Sequence, residues 1–130
     1  MRTGAGAALV GSAFDAARTG LFAIDFWPTV SVQRTVVRDD NGQVWRDDGS
    51  GGGWATLVTG LTVAGAVPFM YPAGAEAAAR DRKLIYCDRV NTVQVLAADG
   101  ATMVAIASPA SDWSGANQPG FGVIHQGYNW

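Results

Sequence analysis

Residues 83–106 run KLIYCDRVNTVQVLAADGATMVAI. Leu84 to Cys87 is a short apolar run, broken by the turn formers of Asp88-Arg89-Val90-Asn91. Thr92-Val93-Gln94-Val95 then alternates polar and apolar with period two, the spacing of a strand. Asp99-Gly100 supplies residues that tolerate positive φ in a tight hairpin turn, and Met103 to Ile106 is apolar again. Three strands of one antiparallel meander follow from this pattern. Leu84 and Tyr86 alternate with Ile85 and Cys87, so this strand is apolar on both faces. A strand of that kind is expected between two packed layers.

The pattern occurs once before. Thr35-Val36-Val37-Arg38 ends in Asp39, a turn through Asp40-Asn41-Gly42 leads to Gln43-Val44-Trp45, Asp48-Gly49 answers Asp99-Gly100, and Trp54 to Val58 closes the unit. The two copies are offset by about 50 residues. A β-rich unit of that length cannot bury both faces of its own sheet and needs neighbours, as a propeller blade does. Tandem meanders in a small β-sandwich leave the same trace. The fold class is therefore all-β, with antiparallel meander sheets that are blade-like or sandwiched. One short helix at most is expected, over the Ala-rich residues Ala73 to Arg82.

Composition narrows the function classes. The chain has 130 residues, 48% hydrophobic and 15% charged, enough for one globular domain with a real core. A net charge of −2 without a basic run argues against a tight grip on nucleic acid. Cys87 is the single cysteine, which excludes an internal disulfide and a cysteine zinc site, and its strand position suits a small buried hydrophobe. No apolar run is long enough for a membrane helix, and Ala8-Leu9-Val10 is too short for the core of a signal peptide, so a soluble, unexported protein is expected. Residues 1–19 form an Ala/Gly-rich arm. Residues 20–130 form a single β domain with its repeats at about 30–63 and 83–107. Within it, Gly20 to Phe26 suits a strand that Pro28 ends or confines to an edge, and Thr29 to Val37 continues as strand. Val67 to Tyr71 is a strand bracketed by Pro68 and Pro72, Ser108 to Gly120 is a loop, and Gly122 to Gln126 is the last strand.

Chemistry-bearing patterns are sparse. His125 is the single histidine, and no Gly-x-Ser-x-Gly elbow accompanies it, so a structural or interface role is the simpler assignment. Asp40, Gly42 and Trp45 match three positions of the Asp-box of sialidases and other propellers, a folding device in which Asp and Gly shape a turn and Trp packs. Arg38 stands where that box has Ser or Thr, and a plain Asn-Gly turn explains the same residues. Asp39, Asp40, Asp47 and Asp48 could offer oxygen ligands to calcium, but the EF-hand register places Val37 at the first ligand. Gly51 to Gly53 lacks the lysine and following helix of a phosphate loop. No catalytic residue, cofactor or metal site is expected.

Three segments together resemble the hub, or nozzle, proteins of short-tailed bacteriophages, which include the packaged-DNA stabilisation proteins. Leu9-Val10-Gly11-Ser12-Ala13-Phe14 with Ile24-Asp25-Phe26-Trp27-Pro28 is similar to their opening, with Asp25 where they carry Asn. Lys83 to Asp88 followed by Asn91 to Val95 is similar to their blade strand pair. Pro119 to Gly127 resembles a "His-Gln-Gly-Arg-Leu-Trp" strand start, with Trp113 in the loop ahead and Tyr128-Asn129-Trp130 in place of Arg-Leu-Trp. The resemblance implies a β-propeller virion protein, assembled in the host cytoplasm as a ring below the portal. Its partners would be other copies of itself and portal or tail components, and it would retain or conduct packaged DNA without catalysis. It implies Trp113, His125, Gln126, Tyr128 and Trp130 as candidate subunit contacts. Such relatives are several times longer, and two or three blades cannot close a propeller. Partners covering an open side, or a small sandwich, are thus both open. A carbohydrate-binding module using Trp45, Trp54 or Trp113 is the first rival. The second is a fragment of a propeller hydrolase with carboxylates around His125.

Overall fold

The computed structural model describes residues 18–29, 32–51, 53–73, 83–97, 100–106, 113, 117–120, 124–125 and 128–129. Among them the chain is all-β. Strands β1 (Gly20–Thr29), β2 (Val32–Asp39), β3 (Val44–Asp47) and β4 (Trp54–Val58) form one antiparallel meander. Strands β5 (Phe69–Ala73), β6 (Lys83–Cys87), β7 (Gln94–Leu96) and β8 (Met103–Ala105) form a second. A hairpin of β9 (Ile124–His125) and β10 (Tyr128–Asn129) follows. The three strands expected from residues 83–106 are β6, β7 and β8. Each meander also has a fourth strand, β1 or β5, on the edge next to β2 or β6.

Of the three prolines expected beside these strands, Pro68 stands just ahead of β5, and the other two lie inside strands. Pro28 falls within β1, and Pro72 within β5, opposite Leu84. Each occupies an edge strand, where a missing N–H need not cost a ladder bond. Around Pro28 the register slips between Phe26 and Thr29. Thr92 and Val93 stay in the turn before β7. Residues 74–82, the helix candidate, lie outside the described residues, and Ala73 ends β5.

The main core lies between the two sheets. Phe26, Val36, Val44 and Leu57 of the first meander meet Met70, Leu84, Tyr86, Leu96 and Met103 of the second, with Leu61 from the connector at the seam. Full burial of one such side chain is worth about 1.5–3 kcal/mol, so this seam is the main favourable term holding the sheets together. Strand β1 lies against β5 and β4 against β8.

The pairing register fixes how the sheets face each other. In the first, Phe22 opposes Arg38 and Ile24 opposes Val36. In the second, Phe69 opposes Cys87 and Tyr71 opposes Ile85. Aligned on Asp39 and Asp88, these are corresponding positions. Yet Phe22, Ile24 and Val36 point into the seam, whereas Phe69, Tyr71, Ile85 and Cys87 lie on the far side of the second sheet. Two meanders related by a two-fold axis through the seam would bring like faces together. Here unlike faces meet, head to tail, as successive propeller blades do.

The connector secures this arrangement. Leu61 N donates to Gly42 O at 3.0 Å, Thr62 exchanges hydrogen bonds with the Asn91 side chain, and Val67 N donates to Asp88 O at 3.0 Å. The β2–β3 and β6–β7 turns are thereby tied together at one end of the stack. Gly42 adopts φ +80°, and a Cβ there would overlap the Leu61 carbonyl oxygen. Gly42→Ala is expected to destabilise by about 2 kcal/mol or more, from left-handed backbone strain plus that overlap. Urea unfolding checks this.

Candidate functional site

The outer face of the second sheet is the feature from which a function can be built. Ile85, Cys87 and Val93 are buried there, and Phe69, Tyr71, Val95, Ile106 and Trp113 pack on them. Phe69 and Tyr71 rings sit 5.9 Å apart, and Phe69 meets Phe22 of β1 at 5.8 Å. Burial falls across this face. Cys87 on β6 is 2% exposed, whereas Val104, opposite Val95 on the edge strand β8, is 51% exposed. A continuous apolar face on both sides of one sheet is what a layer between two others requires.

The first sheet ends differently. Its outer face carries Ala23, Asp25, Thr35, Val37, Trp45, Asp47, Trp54 and Thr56 by register. Thr35 donates to Asp25 from its hydroxyl at 2.9 Å and to Asp47 from its backbone at 2.5 Å. One end of the stack is thus mixed, with an internally bonded row of Asp25, Thr35 and Asp47 beside apolar side chains, and the other is apolar.

Between the sheets lies a buried polar clamp. Arg38, Asp39, Tyr86 and Asp88 are fully buried. Arg38 Nε donates to the Tyr86 hydroxyl at 3.0 Å, and that hydroxyl donates to Asp88 Oδ2 at 2.5 Å. Arg38 Nη1 donates to the Asp39 carbonyl and lies 3.6 Å from its carboxylate. Arg38 Nη2 has no hydrogen-bond partner among the described residues. Farther along, Arg46 Nη1 donates to the Gly100 carbonyl, joining β3 to the β7–β8 turn.

Each carboxylate also organises its own turn. Asp39 Oδ1 accepts from Asn41 N at 3.0 Å and Gln43 N at 2.9 Å, and Oδ2 accepts from Trp45 Nε1 at 2.9 Å. Asp88 Oδ1 accepts from Val90 N at 3.0 Å and Asn91 N at 2.7 Å. These are Asx turns, which satisfy backbone donors that a turn would otherwise leave open. The central acid of the first turn is Asp39. Asp40, placed in that role by the Asp-box alignment, is exposed and accepts from Thr19 N at 3.0 Å. Gly42 supplies the positive φ, and Trp45 is half-buried with the Arg18 guanidinium 5.0 Å over its ring. Gly100 turns with φ +67°, and its N donates to Ala97 O at 2.9 Å. Asp99 lies outside the described residues.

Of the expected contact residues, Trp113 lies on the outer face of the second sheet, and its carbonyl accepts from Gln118 at 3.2 Å. His125 and Tyr128 pair as opposed residues of the β9–β10 hairpin. Gln126 and Trp130 lie outside the described residues. No group of three or more His, Cys, Asp or Glu among the described residues is placed to hold a metal. No helix among them is long and apolar enough to cross a membrane.

Two predictions test the clamp. Tyr86→Phe leaves Arg38 Nε and Asp88 Oδ2 without their shared hydroxyl and is expected to cost about 1–3 kcal/mol, read as a lower urea midpoint at constant slope. Burial, then the Asp88 charge, pushes the Cys87 thiol from 9.0 up to about 11. Burial, then the bond to Asp88, holds the Tyr86 phenol well above 10.0. The folded chain therefore keeps these protons more tightly than the unfolded chain. That contribution is complete below about pH 9 and is lost as pH rises through the folded values. The thermal midpoint should fall in this alkaline window, and Cys87→Ala should reduce the fall.

Comparison with family models, with curated proteins and with solved structures finds no match to this chain.

Proposed function

We propose that this chain is a structural component of a bacteriophage virion, a head-to-tail connector or tail-hub protein that works by assembly and not by catalysis. The observation that carries the assembly part is the head-to-tail stack with an apolar leading face. A head-to-tail contact between copies leaves one such apolar face open on each added copy, and it closes into a ring where the rotation between copies allows closure. The virion setting comes from the resemblance in three segments to phage hub proteins. A net charge of −2 suits a conduit that must not hold its DNA cargo tightly. The partners are other copies of the chain and portal or tail components.

A second reading, a carbohydrate-binding module, has one observation in its favour. Trp45 and Trp54 share the outer face of the first sheet, diagonally across β3 and β4. Against it, Arg18 lies over the Trp45 ring and Trp45 Nε1 is committed to Asp39.

Sedimentation velocity at tens of micromolar, with electron microscopy of the same sample, separates the two. Assembly is expected to give ring-shaped oligomers that Val104→Asp weakens, because Val104 is the exposed part of the leading face. A monomer unaffected by that substitution, whose tryptophan emission shifts on adding oligosaccharides, would favour the sugar module.

A further inference from the structure

The β2–β3 turn that holds one side of the clamp also contains the single Asn-Gly step of the chain, Asn41-Gly42. Such a step is open to ring closure, because glycine has no Cβ to shield its amide nitrogen from the asparagine Cγ. The Asn41 side chain is exposed to water. The Gly42 amide donates to no acceptor among the described residues, so no bond occupies its nitrogen. The backbone around it is nevertheless fixed. Asn41 N and Gln43 N donate to Asp39 Oδ1 at 3.0 and 2.9 Å, and Gly42 O accepts from Leu61 N at 3.0 Å. The connector backbone also sits directly on Gly42, where a Cβ would overlap the Leu61 carbonyl oxygen. A five-membered ring draws Gly42 N toward Asn41 and turns the peptide plane between them. The connector must lift before that can happen.

We infer that Asn41 is a self-modification site of this protein, converted to aspartate and isoaspartate at a rate set by lifting of the connector from Gly42. Solvent water is the only co-reactant. Gly42 N gives up its proton and bonds to Asn41 Cγ, the bond from Cγ to the side-chain nitrogen breaks, and ammonia leaves. Water then opens the succinimide at one of its two carbonyls. Opening on one side gives aspartate in the ordinary chain. Opening on the other gives isoaspartate, in which the chain runs through Cβ and the former backbone carbonyl becomes a free carboxylate. Nothing is oxidised or reduced.

Two neighbouring turns show why the reaction falls here. Asp48-Gly49 has the same glycine, but hydrogen bonds from the Ser50 hydroxyl and amide lower the Asp48 pKa, and an ionised carboxylate resists attack. Asn91, in the turn corresponding to that of Asn41, is followed by the β-branched Thr92, and its side-chain amide is bonded to Asp88 Oδ2 and to Thr62 O. The product also matters to the seam. Isoaspartate lengthens the turn backbone by one atom and adds a carboxylate beside Asp39 and Asp40. Asp39 then loses the spacing at which Oδ1 reaches two amides while its carboxylate lies beside Arg38. The change is irreversible, so it marks chains whose connector has opened.

The unmodified full chain tests this without a variant that must fold. It is incubated in mildly alkaline buffer, and mass spectrometry of the tryptic peptide Asp39 to Arg46 follows the change from amide to acid. Labelling by an isoaspartate methyltransferase scores the isoaspartate form. The folded chain is expected to convert at Asn41 and not at Asn91, at least about ten-fold more slowly than the chain unfolded in urea. Urea below the unfolding transition should speed conversion in step with hydrogen exchange of the Leu61 amide. Both then follow the population of one opened state, because the opening is fast relative to the chemistry. Equal rates in folded and unfolded chain would show that the connector does not gate the step and would overturn the inference. So would a folded chain that stays unconverted while its Leu61 amide exchanges, or one that converts equally at Asn91.

Discussion

A guanidinium with no exposure to water governs how the two halves of this molecule meet. Arg38 projects from β2 into the seam, where an unpaired charge would cost several kcal/mol. It reduces that cost by reaching the Asp39 carbonyl and carboxylate on its own sheet and the Tyr86 hydroxyl on the other. The hydroxyl passes the interaction to Asp88. Apolar packing alone tolerates sliding, because it has no direction. The clamp does not, since each bond requires one distance and angle. Burial supplies the affinity between the sheets, and the clamp selects one register.

Much of the fold was legible in the sequence. Residues 83–106 predicted β6, β7 and β8, and the run Leu84 to Cys87 predicted a strand covered on both sides, as its burial shows. The correspondence of Asp39 with Asp88 was also visible. Its physical meaning was not, because an aspartate that bonds turn amides reads the same as a solvated turn carboxylate. Asp40 was the natural candidate only because the Asp-box spacing pointed to it; Asp39, the last residue of β2, is the one whose carboxylate reaches the turn amides and Trp45. Arg38 itself looked like a mismatch in a motif. Its partner lies 48 residues away, and local patterns do not reveal such pairs. Pro28 lies on an edge strand, one of the two places the sequence allows it, whereas Pro72 lies inside β5 and not beyond its end. Whether Pro28 or Pro72 ends a strand depends on which side the neighbouring strand occupies.

The two Asx turns show how one device serves two levels of structure. Asp39 and Asp88 each hold the backbone of a tight turn, so each meander can form its β2–β3 or β6–β7 hairpin locally. The same carboxylates then lie within the clamp that joins the meanders. Local and long-range structure therefore favour the same geometry, which is the consistency that gives a chain one native state. The two roles differ in detail, because Asp39 also receives Trp45 Nε1 and the approach of Arg18 at 3.7 Å, while Asp88 receives the Asn91 amide at 2.6 Å.

Repetition without identity explains why the stack has a direction. If both meanders carried the same side chains, any seam could form between any two sheets, and copies would join in many registers. The corresponding pairs Arg38 and Cys87, and Val37 and Tyr86, break that degeneracy. A seam that places Arg38 against Tyr86 satisfies both, whereas one that buried Arg38 against Val37 would leave the guanidinium without its hydroxyl. Specificity between similar surfaces comes from the penalty on the wrong partner as much as from the reward of the right one. The first seam is consequently exclusive to its own two sheets, and the apolar face beyond Cys87 imposes no such polar demand. Packing on that face is selected by shape and apolar area, without a directional bond to fix its register.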